Sequence, residues 1–164
     1  MSIYFFRHKS GLIFFIAVII ILSIATFQRN IVWVNELVFW QDVEKKSSMK
    51  PRGYNNLGLN YARIGRLDEA IGKFKTALKL NPGFADAHNN LGNAYAVSGR
   101  LNEAIEAYQN HIRLNPNHLD THYNLGVLYK SMGLRNEAKK EFEIALQLNP
   151  NDTSARQALE SLGR

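Results

Sequence analysis

From residue 54 to residue 150 the sequence returns to one pattern every 34 residues, and this period constrains the fold more than any other feature of the chain. Tyr54-Asn55-Asn56-Leu57-Gly58 is matched by His88-Asn89-Asn90-Leu91-Gly92 and by His122-Tyr123-Asn124-Leu125-Gly126. Gly65-Arg66-Leu67-Asp68-Glu69-Ala70 is matched by Gly99-Arg100-Leu101-Asn102-Glu103-Ala104 and by Gly133-Leu134-Arg135-Asn136-Glu137-Ala138. Leu80-Asn81-Pro82 returns as Leu114-Asn115-Pro116 and Leu148-Asn149-Pro150. A unit this short cannot bury its own apolar face, so successive units have to stack and share one elongated core.

Each unit reads as two helices. In the first, Leu91 and Tyr95 fall four apart beside Gly92 and Ala94, a narrow face whose small residues admit a second helix at close range. Gly65, Gly99 and Gly133 then supply left-handed C-terminal caps, and Asp68, Asn102 and Asn136 are expected to cap the start of the second helix. That helix carries Ala104, Ile105, Tyr108 and Ile112 on one stripe. It stops at Asn-Pro, because proline disfavours helical backbone in the residue before it.

The combination is similar to the tetratricopeptide repeat family. The matching positions are Leu57, Gly58, Tyr61, Ala70, Phe74 and Pro82 in the first unit, and Leu91, Gly92, Tyr95, Ala104, Tyr108 and Pro116 in the second. Leu125, Gly126, Tyr129, Ala138, Phe142 and Pro150 follow in the third. The resemblance implies an all-α, right-handed superhelix of three helical hairpins, residues 50–83, 84–117 and 118–151, closed by a capping helix over 152–164. This chain departs from the pattern at His88 and His122, where the family favours an aromatic, at His111, where Ala77 and Ala145 stand in the sister units, and at Leu134-Arg135. Counting back 34 residues from Leu67, Ile71, Phe74 and Ala77 reaches Trp33, Leu37, Trp40 and Val43. Residues 30–49 therefore hold the register of the second helix of an incomplete repeat.

Ahead of the repeats, Leu12 to Phe27 is apolar or small throughout and carries no charge. Its length matches the short end of a membrane-spanning helix, placed over 11–28. Arg7 and Lys9 precede it and only Arg29 follows closely, which puts residues 1–10 in the cytosol and the repeats on a periplasmic or lumenal side. A cleaved signal peptide is the competing reading, with Ser23-Ile24-Ala25 as the cut, although the apolar run continues through Thr26 and Phe27. Trp33, Phe39 and Trp40 suit both packing against the first repeat and an interfacial aromatic belt. The stretch from Phe27 to Val43 followed by repeats also resembles the last span and juxtamembrane segment of multi-spanning membrane proteins that end in tetratricopeptide arrays, some related to glycosyltransferases. The other spans are not in this sequence.

Chemistry finds little to stand on. The chain has no cysteine, which removes thiol nucleophiles, dithiol redox and thiolate metal sites. A net charge of +6, from 20 basic and 14 acidic residues, is too slight for a nucleic-acid surface. Ser47-x-x-Lys50 has the spacing of penicillin-binding enzymes but none of their other motifs. His118 and His122 are four apart, with His88 one period away, yet they fall in a turn and at packing positions, so no metal is expected. No cofactor and no catalytic activity are expected either. The stronger signal is the ladder Asn56, Asn90 and Asn124, flanked by Asn55 and Asn89, on first helices. An amide carries a donor and an acceptor and can pair with the backbone of an extended peptide. The ladder resembles that of the O-linked N-acetylglucosamine transferases, while asparagine before Leu-Gly is also common in the family for structural reasons. Asp86, Asn93, Asp120, Tyr123, Val127 and Lys130 are expected to line the rest of the groove. The basic clamp that some family members use on chaperone C-termini is absent, since Asn55, Leu59, Asp120 and Asn124 stand at its positions and only Asn90 fits. The expected function is a membrane-anchored scaffold that holds a protein or peptide partner. The alternatives are an acceptor-positioning part of a membrane glycosyltransferase system and a self-associating homo-oligomeric module.

Overall fold

The computed structural model describes residues 16, 18–24, 26, 36–45 and 50–163. Seven helices follow one another from residue 51: α1 (Pro51–Arg63), α2 (Leu67–Leu80), α3 (Ala85–Val97), α4 (Leu101–Leu114), α5 (Leu119–Ser131), α6 (Arg135–Leu148) and α7 (Thr153–Glu160). They form three antiparallel hairpins, α1 with α2, α3 with α4 and α5 with α6, stacked in chain order, with α7 packed on α6. Among the described residues there is no strand.

The hairpin turns follow from the glycines. Gly65, Gly99 and Gly133 have φ of 79°, 77° and 76°, the left-handed region that costs glycine nothing. Each closes a Schellman motif: Arg66 N–H donates to the Tyr61 carbonyl at 2.9 Å and Gly65 N–H to Ala62 at 3.0 Å, and the same pair recurs at Arg100 and Gly99 and at Leu134 and Gly133. This tight turn overturns the expected caps. The second helices begin two residues after glycine, so Arg66, Arg100 and Leu134 are the N-caps and make no side-chain cap. Asp68, Asn102 and Asn136 lie inside the first turn instead. Arg66 Nε donates to Glu69 Oε1 at 2.7 Å and Arg100 Nε to Glu103 Oε1 at 2.8 Å, and both guanidinium groups lie over the tyrosine of the preceding helix. The reversed Leu134-Arg135 pair removes that arrangement from the third hairpin.

Within each hairpin a glycine on the first helix meets a ring on the second. A Cβ added at Gly58, Gly92 or Gly126 would stand 2.6 Å from Phe74, Tyr108 or Phe142 respectively, so these contacts require glycine. Ala70, Ala104 and Ala138 are fully buried beside them. Leu57, Tyr61, Leu91, Tyr95, Leu125 and Leu128 extend one core along the stack.

Residues 36–45 are helical. Leu37 is buried, Trp40 and Val43 pack on the core, Gln41 Nε2 donates to Tyr61 Oη at 2.8 Å, and Lys73 Nζ bonds Glu44. Gln109 donates in the same way to Tyr129, 20 residues on, so the segment does the work of a second helix from a preceding repeat. Phe39, at 59% exposed, and Val38 face outward. Trp33 lies outside the described residues.

Residues 16, 18–24 and 26 are helical and exposed. Among the described residues no helix is long and apolar enough to cross a membrane. The tail 1–10, much of the expected span 11–28 and the proposed cut at Ala25 lie outside the described residues, as do 46–49, Ser47 included.

Candidate functional site

The first helices α1, α3 and α5 lie side by side and bring the asparagines together across repeat boundaries. Asn90 Nδ2 donates to Asn55 Oδ1 at 2.9 Å, and Asn55 is buried. Asn124 Nδ2 reaches Asn93 Oδ1 at 3.4 Å. Tyr108 Oη donates to the same oxygen at 2.7 Å from the second helix behind it. Burial pushes the Tyr108 phenol up to about 12, so it stays a donor and fixes which end of the Asn93 amide points inward. Thr121 Oγ1 donates to Asn89 Oδ1 at 3.0 Å. The ladder is therefore an inter-repeat hydrogen-bond chain first. Asn90 and Asn124 commit an N–H of their amides to a neighbouring asparagine, while Asn56 is half-buried and makes no such bond.

Between α3 and α5 opens a concavity of about 410 Å³ lined by Asn93, Ala96, Val97, Leu101, Tyr108, Asn124, Val127, Leu128 and Ser131. Its walls are mostly apolar, and its polar side chains are the hydrogen-bonded Asn93, Tyr108 and Asn124 together with Ser131, whose hydroxyl donates to the Leu128 carbonyl. Val97 is 74% exposed, a large aliphatic side chain left open to solvent. A second concavity of about 410 Å³ continues toward α7, lined by Tyr123, Val127, Lys130, Phe142, Ser154, Gln157, Ala158 and Ser161. Lys130 Nζ donates to Ser161 Oγ at 2.6 Å across its mouth. Of the expected groove residues, Asn93, Tyr123, Asn124, Val127 and Lys130 line these hollows. Asp86 and Asp120 are exposed near the helix starts and line neither. Ala96, Val97, Leu101 and Leu128 were missed. A signal was present for Val97 alone, because 93 and 97 are one four-residue step apart on the same helix, whereas Leu101 opens the next helix beyond the Gly99 turn.

The histidines are held by the scaffold. His88 and His122 each donate Nε2–H to the proline carbonyl six residues earlier, Pro82 at 2.9 Å and Pro116 at 2.8 Å. Arg156 Nη2 donates to Pro150 in the same place of the next period. His118 is the N-cap of α5, with its ring accepting from Thr121 N–H. His111 is 1% exposed, donates Nδ1–H to the Ala85 carbonyl at 2.9 Å and sits edge-on to His118. Burial lowers its pKa, against the pull of the Ala85 carbonyl.

Two tetratricopeptide repeat family models match the sequence, at residues 55–118 and 98–162, together more than half of the chain. No curated protein matches it. Among solved structures, the crystal structure of MamA is 28% identical, with 79% of this chain and 76% of that one covered and a TM-score of 0.76. YrrB, described as a TPR protein with an unusual peptide-binding site, is 21% identical over 80% of this chain and 68% of its own, with a TM-score of 0.74. The first TPR of Spaghetti (RPAP3), bound to the HSP90 peptide SRMEEVD, is 24% identical over 71% and 93%, with a TM-score of 0.67. The last two likenesses concern the fold.

Proposed function

The chain belongs to the tetratricopeptide repeat family, and from that premise we propose that it is a non-catalytic, membrane-anchored receptor that holds an extended peptide of a partner protein along α3, α5 and α7. The observation that carries this reading is the concavity between α3 and α5. Its aliphatic walls suit one apolar side chain of the peptide, and at its edge Asn93 still has its Nδ2–H donors and Asn124 its Oδ1 acceptor to offer a peptide unit. The anchor is supported by the uncharged run from Leu12 to Phe27, and the charge bias around it favours a periplasmic or lumenal array. The peptide-bound and peptide-binding neighbours are consistent with such a ligand.

A photo-crosslinking amino acid placed at Val97 in cells tests the groove, with the same group at exposed Lys140 on α6 as the control. A discrete adduct at position 97 that disappears with Asn93→Ala and Asn124→Ala supports the reading. Adducts identical at 97 and 140, or unchanged by the two substitutions, overturn it.

A further inference from the structure

His88 and His122 hold the same place in consecutive repeats and make the same bond to a proline carbonyl, but their other ring nitrogens differ. Glu141 Oε2 lies 2.7 Å from His122 Nδ1 in a nearly dry contact. One period earlier the residue in the Glu141 position is Ala107, and His88 Nδ1 is buried without a hydrogen-bond partner. The shortened side chain leaves space. A hollow of about 290 Å³ opens there among α2, α3 and α4, with His88, Ala107, Lys75, Tyr95 and Asn110 in its walls.

We propose that this hollow is a second binding site, separate from the groove of the first helices, which takes the carboxylate of an acidic side chain on a partner protein and sets it on His88 as Glu141 is set on His122. The charged and titratable groups around it are Lys75 from α2, Tyr95 from α3, Glu103 and Glu106 from α4, and His111. Glu103 is already held by Arg100. Lys75 Nζ stands 5.7 Å from the centre of the Tyr95 ring and has no ion-pair partner among the described residues. The hollow thus offers an ammonium and an imidazole against the one uncommitted carboxylate of Glu106. Since Nε2–H stays on Pro82, a carboxylate on Nδ1 requires a second ring hydrogen, and binding takes up a proton.

The test follows the histidine ring resonances of the full-length chain in neutral detergent micelles by nuclear magnetic resonance. The probes are sodium acetate and N-acetylglutamate amide, at constant ionic strength against sodium chloride. Both probes should shift the His88 ring saturably, and the midpoint should tighten severalfold as the pH is lowered from about 7.5 to about 6. Ala107→Glu should give His88 the ring signature of His122 and abolish the acetate response. A response equal to that of chloride, one independent of pH, or an unchanged His88 ring in folded Ala107→Glu overturns the proposal. Binding of acetate without the glutamate amide overturns the assignment to a protein side chain. None of these outcomes depends on whether a peptide binds at Val97.

Discussion

Single atoms decide much of this fold. Gly92 abuts Tyr108 so closely that Gly92→Ala should cost about 1–3 kcal/mol, because a buried ring has nowhere to move. Gly72, in the interior of α2, meets nothing within 4 Å at the Cβ position, and Gly72→Ala should stabilise by about 0.5–1 kcal/mol through helix propensity. Urea unfolding of the two variants checks both signs, and equal effects would refute the assigned helix pairing. His111 gives a pH dependence of definite sign. Its folded pKa lies below the ordinary 6.5, so as pH falls through about 6.5 the unfolded chain takes up a proton that the folded chain resists. Stability contributed by the neutral ring is present above that pH and declines until the folded value is reached. His111→Ala, copying Ala77 and Ala145, should melt with a shallower decline between about pH 7 and 5 than the parent, and thermal scans across that window decide it. The glycine contacts were legible because a repeat prints each one three times. His111 was legible only as a departure, since burial and a carbonyl 26 residues away leave no local trace.

At the scale of elements, the turn and the half-repeat carry opposite lessons. The left-handed glycines were readable from position alone, but the caps were not: asparagine or aspartate three residues after glycine imitates a capping signal, and the Schellman closure starts the helix two residues too early for it. Residues 36–45 were readable because register survives where identity does not. Leu37, Trp40 and Val43 share no residue type with Ile71, Phe74 and Ala77, yet they pack alike. If the segment serves as a second helix, Leu37→Ala should cost about 2–4 kcal/mol and detach the end of the array, whereas Val38→Ala, on an exposed side chain, should stay within about 0.5 kcal/mol. Amide hydrogen exchange in α1 should rise sharply in the first variant only. Equal exchange in both would make the segment a spectator.

The whole molecule is a stack in which each hairpin is held by its neighbours, so its ligand surface and its stability run through the same seams. A sequence with this period announces the seams but not which polar groups cross them. The asparagines looked like a ladder turned toward a ligand, and the spacing that aligned them also let them bond to one another. Asn55 and Asn93, one and three residues from the ladder positions in their helices, turn out to be the acceptors. The two bonds differ in a way that separates support from recognition. Asn90→Ala strands the buried Asn55 carbonyl oxygen and should cost about 1–3 kcal/mol. Asn124 makes a long bond at the edge of the concavity, to an oxygen that Tyr108 already satisfies. Asn124→Ala should therefore change stability by less than about 1 kcal/mol while weakening crosslinking at Val97. Melting and crosslinking measured on both variants place each asparagine. If Asn124→Ala lowers stability as much as Asn90→Ala and leaves crosslinking intact, the ladder belongs to the scaffold alone and Asn124 has no part in holding a peptide.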